Sequence, residues 1–320
     1  MHFDYTMAFG SFLVAIVVGL TGMGGGALMT PMLVTFFGVP PLTAVSSDLV
    51  AAAVMKPVGS VVHLRRGTVN LRLVGWLCAG SIPAAFCGVL LARALGSGQD
   101  VQDVIQKALG VALLIAAGGL AIRGVLALRD RVEQRTADTG RRTAEPGEPA
   151  ATEPRQVTIR PIPTVLIGIL GGLVVGMTSV GSGSLIIVAL LAIYPKLRAN
   201  QLVGTDLVQA VPLVMSAAFG HILFGDFKLS ITAALLVGSI PGVYLGSRIS
   251  SRAPGGLIRR ALAFVLLASA LKMFGVGTTA TVVVLAATLV AAPALWALLR
   301  MRYGLPAVAR KAPLPEHATR

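Results

Sequence analysis

The chain has 320 residues, of which 55% are hydrophobic and only 12% charged, and its mean hydropathy is +0.82. Soluble proteins carry about 25% charged residues to cover their surface, so a soluble globular domain is excluded. The net charge of +14 comes with only 5% aromatic residues, whereas nucleic-acid binding interleaves basic and aromatic side chains. We therefore expect a polytopic membrane protein with no nucleic-acid partner.

Seven apolar segments are long enough to span a bilayer core of about 30 Å, which needs about 20 apolar residues. They are residues 42–62, 71–95, 104–128, 201–220, 229–249, 257–274 and 278–299. Two further apolar regions, 7–37 and 164–194, are interrupted by the glycine cluster at 22–26 and by the Gly-Ser cluster at 181–184. Such clusters break helices, so each region is predicted to form two short helices joined by an unwound corner.

The composition changes between residues 129 and 160, where six acidic and seven basic residues mix with prolines. Such a sequence cannot bury apolar surface, so we expect a solvated and poorly ordered linker. The predicted organisation is a first transmembrane repeat at 1–128, a charged Pro-rich cytoplasmic linker at 129–160, a second repeat at 161–275, an extra transmembrane helix at 276–300 and a cytoplasmic tail at 301–320.

The two halves of the chain repeat each other. The sequence Gly-Ser-Ile-Pro at 80–83 recurs 158 positions later, at 238–241, and the pairs Asp48 and Asp206, and His63 and His221, share that offset. Around the corners the offset is 157, because Gly24 to Leu28 align with Gly181 to Leu185. Several matches in register indicate an internal duplication.

The positions of Lys and Arg, which accumulate on the cytoplasmic side of membranes, indicate how the repeats are oriented. The basic loop follows His63 in the first repeat, whereas in the second repeat it is the next loop along the chain. The residues are Arg65, Arg66 and Arg72 in the first repeat, and Arg248, Arg252, Arg259 and Arg260 in the second. Equivalent loops are therefore predicted on opposite faces, as an odd number of five segments per repeat produces.

These patterns predict an all-α integral membrane protein of two inverted-topology repeats, each a broken short-helix hairpin plus three transmembrane helices, with one extra C-terminal helix. We expect it in the cell (inner) membrane, with the N-terminus outside and the C-terminus cytoplasmic.

Inverted repeats with interrupted helices are typical of secondary transporters, whose substrate site lies near the bilayer midplane. A helix that starts inside the bilayer has unpaired N–H groups and a partial positive charge at that end. Glycines let the backbone approach a ligand, so two such starts predict a cradle for a small anion. The predicted substrate-binding residues at the corners are Thr21, Gly22, Gly24, Gly25, Gly26, Thr178, Ser179, Gly181, Ser182, Gly183 and Ser184. The competing interpretation of such glycines is close helix packing.

Two acidic residues fall inside the predicted spans, Asp48 and its repeat equivalent Asp206. An ionisable group in a membrane is costly and therefore a functional candidate. Two roles compete for this pair: carrying a coupling proton, or accepting N–H groups of the unwound corner as a structural clasp. Lys56, whose repeat equivalent is Val214, is predicted either to contact the anion or to pair with Asp48.

His63 and His221 lie at predicted span ends. Interfacial histidines are ordinary there, and the functional alternative is a gating or proton-relay role.

The chain resembles the sulfite exporter TauE/SafE family of duplicated membrane permeases. The resemblance covers roughly residues 8–275 and rests on short motifs. These are Gly19-Leu20-Thr21-Gly22-Met23-Gly24-Gly25-Gly26 followed by Pro31 and Leu33, then Ser46-Ser47-Asp48, and in the second half Gly181-Ser182-Gly183-Ser184 and Val203-Gly204-Thr205-Asp206. The resemblance implies transport of small sulfur-containing or organic anions such as sulfite, sulfoacetate, related sulfonates or carboxylates. The long linker at 129–160 departs from a usual member, and the identity of the substrate does not transfer.

We therefore expect a transporter for a small anion that works by alternating access in the lipid bilayer, with protons coupled through the two aspartates and with no catalytic residue, cofactor or metal. A passive anion channel would use the same parts without coupling. An intramembrane hydrolase built on Ser182 and His221 is disfavoured, because Ser182 aligns with Gly25 and His221 is predicted far from the midplane. The sequence leaves open which anion is carried, in which direction, with which coupling ion, and whether the chain forms homo-oligomers.

Overall fold

The computed structural model describes residues 4–21, 25–65, 67, 69–94, 99–143, 159–183, 185–194, 197, 199–224, 227–250 and 255–302. Every regular element in these ranges is an α-helix, which confirms the predicted fold class. In chain order the helices are α1 (Tyr5–Thr21), α2 (Gly26–Phe36), α3 (Pro41–Arg65), α4 (Leu71–Ala94), α5 (Gln99–Thr143), α6 (Pro161–Thr178), α7 (Leu185–Ile193), α8 (Ala199–Leu223), α9 (Leu229–Ser250), α10 (Gly255–Met273) and α11 (Thr278–Arg302).

Six helices in the described ranges are long and apolar enough to cross a membrane. Five of them, α4, α5, α8, α9 and α11, coincide with predicted spans, and the sixth is α6, the first part of the second broken region. The other two predicted spans form α3, which contains Asp48 and Lys56, and α10, which contains Arg259, Arg260 and Lys272. α11 buries none of its apolar window inside the protein, as expected of a helix whose side chains face lipid.

The structure differs from the sequence prediction after residue 128. We expected a poorly ordered linker from residue 129, but α5 continues as a helix to Thr143. The physical reason is local helix propensity, because eight of the fifteen residues from Arg129 to Thr143 are arginine, glutamine, glutamate or alanine, and no proline follows before residue 146. Residues 144–158 lie outside the described part of the chain.

Helices of the first repeat pack in pairs against helices of the second repeat. α1 contacts α9 and α4 contacts α6, while α3 packs on α8 and α5 on α10. Since α6 is the repeat equivalent of α1 and α9 is that of α4, the first two contacts are one interface formed twice. A two-fold relation between the repeats produces such a contact twice. Each repeat contributes five described helices, the odd number on which the predicted inversion depends.

Glycines line the two equivalent interfaces, that of α4 with α6 and that of α1 with α9. A Cβ atom added to Gly80 would lie 2.3 Å from the carbonyl oxygen of Val165, and one added to Gly238 would lie 2.0 Å from that of Ala8. The repeat relates these two contacts to each other. Glycine lets helix backbones approach closely in a membrane, so the packing interpretation holds for these glycines.

We expect Gly238→Ala to lower the free energy of unfolding by about 1–3 kcal/mol, because its methyl group would overlap the backbone of α1. Thermal unfolding of the purified protein in detergent measures this loss. Gly118→Ala in α5 is the matched control, since no atom lies within 4 Å of its added Cβ. That control should be neutral or gain up to about 1 kcal/mol from helix propensity. Equal unfolding temperatures for both variants would contradict the packing interpretation.

Candidate functional site

Both predicted corners are present, and they touch each other. α1 ends at Thr21 and α2 begins at Gly26, while α6 ends at Thr178 and α7 begins at Leu185. A Cβ atom added to Gly26 would lie only 2.0 Å from the carbonyl oxygen of Ser179. Only glycine permits this approach, so the start of α2 rests directly on the backbone of the second corner.

The second corner has a backbone conformation that its glycines permit. Gly181 and Gly183 have φ angles of 129° and 101°, and Ser179 adopts the left-handed conformation with a φ of 59°. The N–H group of Ser179 donates to the carbonyl oxygen of Val175 at 2.8 Å, where α6 ends. The N–H group of Leu185 donates to the carbonyl oxygen of Gly181 at 3.1 Å, where α7 begins. Two helix termini therefore meet within this short segment.

Thr178 stabilises the same corner locally. Its hydroxyl donates to the carbonyl oxygen of Val174 at 2.6 Å and accepts the N–H group of Val180 at 3.2 Å. The side chain is buried. These bonds turn the Thr178 hydroxyl toward its own backbone, so its observed role is to shape the corner.

The carboxylate of Asp48 links the two repeats. Its Oδ2 atom accepts the hydroxyl of Thr30 at 2.9 Å and the hydroxyl of Ser179 at 2.6 Å. Asp48 and Thr30 belong to the first repeat and Ser179 to the corner of the second, and all three side chains are buried. The clasp interpretation anticipated backbone N–H donors, but these two donors are hydroxyls. Asp48 thus holds α2, α3 and the second corner together.

Lys56 reaches the second corner from α3. Its ammonium group donates to the Ser182 hydroxyl at 2.5 Å, and the lysine side chain is 9% exposed. The ammonium also interacts electrostatically with Asp206 and with Asp48. A buried cation therefore contacts the second corner and interacts with both predicted coupling residues, while its contact with an anion stays a prediction.

Asp206 is buried in α8 and interacts electrostatically with Lys56. Two bonds fix its backbone segment against the first repeat. The Ser60 hydroxyl, one turn after Lys56, donates to the carbonyl oxygen of Leu207 at 2.9 Å. The N–H group of Asn70 donates to the Thr205 hydroxyl at 3.1 Å. These contacts hold α8 beside the lysine-bearing part of α3.

His221 lies in the last turn of α8, as predicted, but its side chain is fully buried rather than interfacial. Its Nδ1 atom lies 2.8 Å from the Ser46 hydroxyl and its Nε2 atom lies 3.1 Å from the carbonyl oxygen of Gly176. Because a carbonyl only accepts, Nε2 is the donor in that bond. The imidazole therefore joins α3, α6 and α8, and its described partners do not include Ser182.

Several predicted residues cannot be placed in this description. Gly22, Gly24 and Ser184 lie outside the described residues, as do the side chains of Thr21 and His63. Among the others, Ser179 contacts both Gly26 and Asp48, and Lys56 contacts Ser182 and interacts electrostatically with Asp206. Gly25 precedes α2, and its carbonyl oxygen accepts the N–H groups of Leu28 and Met29.

Sequence reasoning missed three polar residues of this region. Thr30 and Ser46 are the hydroxyl partners of Asp48 and His221. Gln209, one turn after Asp206, is fully buried and donates to the Ser81 hydroxyl at 2.7 Å. The signal that selected the aspartates, a polar side chain inside an apolar span, would also have found Gln209.

The assembled site offers chemistry for a small anion. The first turns of α2 and α7 carry partial positive charge, Lys56 supplies a full positive charge, and Ser179 and Ser182 supply hydroxyls. The described corners contain no arginine, so a bound anion would rely on helix ends, one ammonium group and hydroxyls.

Comparison with known proteins identifies the family. The sequence profile of the family "Sulfite exporter TauE/SafE" matches residues 7–273. The chain is 34% identical over 266 residues to the probable membrane transporter protein YjnA of Bacillus subtilis, covering 81% of this chain and 95% of that protein. It is 24% identical over 253 residues to the probable membrane transporter protein YdhB of the same organism, covering 78% and 92%.

A third relative is a probable membrane transporter protein of Xylella fastidiosa, 27% identical over 263 residues, covering 81% of this chain and 90% of that protein. No solved structure matches the chain significantly. The family profile spans both corners, both membrane aspartates and the helices that hold them. The chain, a multi-pass integral membrane protein of transporter type, therefore belongs to the sulfite exporter TauE/SafE family.

Proposed function

We propose that this transporter carries a small sulfur-containing or organic anion, such as sulfite, sulfoacetate or a related sulfonate, by alternating access between two inverted repeats. The anion binds where the corners of α1–α2 and α6–α7 meet. The protein acts on this anion either as an exporter or as an uptake permease.

One observation carries this proposal: Lys56 of the first repeat donates to Ser182 of the second repeat's corner. A cation that bridges the two repeats beside two helix starts attracts an anion. From that position, rocking of one repeat against the other can expose the anion to either side of the membrane. The family description, sulfite exporter, supports the substrate class.

The proposal also assigns the coupling and gating residues. Asp48 and Asp206 couple protons to the anion, and the buried imidazole of His221, with His63 at the equivalent position, acts in gating. The protein lies in the cell (inner) membrane with its N-terminus outside and its C-terminus cytoplasmic. This orientation places the basic loops of both repeats on the inner side.

Uptake into proteoliposomes tests the proposal. Purified protein is offered a panel of labelled sulfite, sulfoacetate, methanesulfonate and acetate, with and without an imposed pH gradient. We expect saturable uptake of at least one sulfur-containing anion, accumulation above the external concentration when the gradient is present, and loss of accumulation when the gradient is dissipated. The proposal fails if protein-free liposomes take up every anion equally well. Uptake that never exceeds equilibrium identifies a passive channel instead.

One contact favours a second candidate. A lysine beside a serine hydroxyl is also the arrangement of a serine hydrolase whose base is lysine. We expect Ser182→Ala to weaken anion uptake by about three- to tenfold, the effect of losing one hydrogen bond of about 1 kcal/mol. Hydrolysis of ester and amide probes should stay at background in both the unaltered protein and this variant. Hydrolysis that Ser182→Ala abolishes, with anion uptake absent throughout, would support the enzyme and contradict the transporter.

A further inference from the structure

The last helix, α11, packs against the protein differently from the other spans. In the described ranges, the other five helices that are long and apolar enough to cross a membrane bury 44% to 50% of their apolar windows, whereas α11 buries none of its window. Apolar side chains in the middle of α11 are exposed, among them Leu289 at 65% and Val290 at 74%. The family profile ends at residue 273, before α11 begins. Lipid therefore covers most of this helix.

Near its C-terminal end, α11 contacts two other helices through the partly buried ring of Trp296. A carbon atom of this ring would lie 3.6 Å from a Cβ atom added to Gly124 of α5. The guanidinium group of Arg260 in α10 lies over the same ring, with its Cζ atom 4.8 Å from the ring centroid. Stacking on an aromatic face orients the planar guanidinium and leaves the N–H groups in that plane able to bind an acceptor.

The lengths of the helices place this contact at the edge of the bilayer core. α11 extends over about 33 Å from Thr278 to Arg300 at the helical rise per residue, which matches a hydrocarbon core about 30 Å thick. In α5 the sequence becomes charged from Arg129, shortly after Gly124. Trp296 therefore lies in the interfacial region, where tryptophans are enriched, and the arginines beside it lie at the level of the lipid headgroups.

Positive charge is in excess at this end of α11. The helices α10 and α11 run in opposite directions, so Arg260 near the start of α10 lies at the same membrane face as Arg300 and Arg302 in the last turn of α11. Neither helix contains an acidic residue between its described ends. The neighbouring part of α5, residues 123–131, has three arginines and one aspartate. This end of α11 therefore attracts anionic groups at the membrane surface.

We propose that the C-terminal end of α11, with the start of α10, binds an anionic phospholipid. The Arg260 guanidinium binds the phosphate, because the arrangement of its N–H groups matches phosphate oxygens. The acyl chains lie along the exposed apolar side chains of α11. A free phosphate would leave that apolar surface uncovered, and a lipid without net charge would not balance the arginines. The bound lipid strengthens the attachment of α11 to α5 and α10.

Quenching of tryptophan fluorescence by brominated lipids tests this site, because bromine atoms on an acyl chain quench a tryptophan that they contact. The chain has two tryptophans, Trp76 and Trp296, so Trp76→Phe leaves Trp296 as the reporter. In bilayers that mix phosphatidylglycerol with phosphatidylcholine, with either lipid brominated, we expect phosphatidylglycerol to bind beside Trp296 more tightly by about fivefold or more. Adding Arg260→Gln should lower this preference by about fivefold, as expected for loss of one arginine near an anionic headgroup.

Two matched controls each remove one positive charge elsewhere and should leave the preference at Trp296 unchanged. Lys272→Gln acts at the opposite end of α10, where the lysine donates to the Thr278 hydroxyl at 3.0 Å. Arg72→Gln acts in the first turn of α4, which is predicted at the same membrane face as Arg260. The inference is overturned if Trp296 shows no preference for phosphatidylglycerol, or if all three charge removals lower that preference equally. It is also overturned if inorganic phosphate stabilises the protein in detergent against heat as much as phosphatidylglycerol does.

Discussion

Replacement of Lys56 with methionine is expected to weaken anion binding by about 30-fold or more. The lysine supplies the full positive charge of the described site, and its ammonium group is 2.5 Å from the Ser182 hydroxyl. Truncating one partner of a buried, hydrogen-bonded charge pair costs about 2 kcal/mol or more. Methionine has a similar length and no charge, so the loss reports the charge rather than the volume. Equilibrium binding of methanesulfonate at acidic pH measures it.

Lys228→Met is the matched control for loss of a lysine. Lys228 is exposed, and its described bonds are made by its backbone: its N–H group donates to the Ser47 hydroxyl at 3.2 Å and its carbonyl oxygen accepts the N–H group of Thr232 at 3.0 Å. This variant should bind the anion as the unaltered protein does. Lys56→Arg keeps the charge and should retain part of the affinity. Unchanged affinity in a folded Lys56→Met protein would remove the lysine from the substrate site.

A methyl group added at Gly26 is expected to cause the second large effect. The added Cβ would lie 2.0 Å from the carbonyl oxygen of Ser179, which is backbone and cannot rotate away. We expect Gly26→Ala to lower the free energy of unfolding by about 1–3 kcal/mol or more. Displacement of Ser179 should also break its hydroxyl bond to Asp48, so transport should fall together with stability. Thermal unfolding in detergent and uptake into proteoliposomes measure the two effects.

The neighbouring glycine provides a matched control within the same corner. A Cβ added to Gly25 would meet its nearest atom, the Cγ of Met29, at an ordinary contact distance of 3.5 Å. Its φ of −59° and ψ of −30° suit any residue. Gly25→Ala should therefore unfold at the same temperature as the unaltered protein. Equal losses of stability at the two positions would contradict the direct contact between the corners.

The corners and the aspartate pair could be predicted from the sequence because each leaves a local signal. Glycine clusters interrupt apolar segments, and a carboxylate inside such a segment is conspicuous. Because the sequence is duplicated, each of these features occurs twice, and such a repeat indicates that equivalent features meet near the midplane. The structure confirms both breaks and the contact between the corners, from Gly26 to Ser179.

The partners of the site residues could not be predicted, because they come from different repeats and the sequence does not encode which side chains meet. In the sequence, Thr30 is one of several hydroxyl residues in apolar segments, and only the structure shows that it bonds to Asp48. His221 lies at a helix end, where exposure is usual, but its burial follows from packing of α8 on α3 and α6. The length of α5 was missed because a charged sequence was interpreted as disordered, although half of its residues up to Thr143 favour a helix and no proline interrupts them.

Anomalous scattering from bound selenite, the selenium counterpart of sulfite, measures most directly whether the contacting corners hold an anion. We predict one dominant selenium peak within hydrogen-bonding distance of the Lys56 ammonium and the Ser182 hydroxyl, between the starts of α2 and α7, and its loss in Lys56→Met. A dominant peak elsewhere in the protein, or a structure in which Gly26 and Ser179 are far apart, would contradict the account.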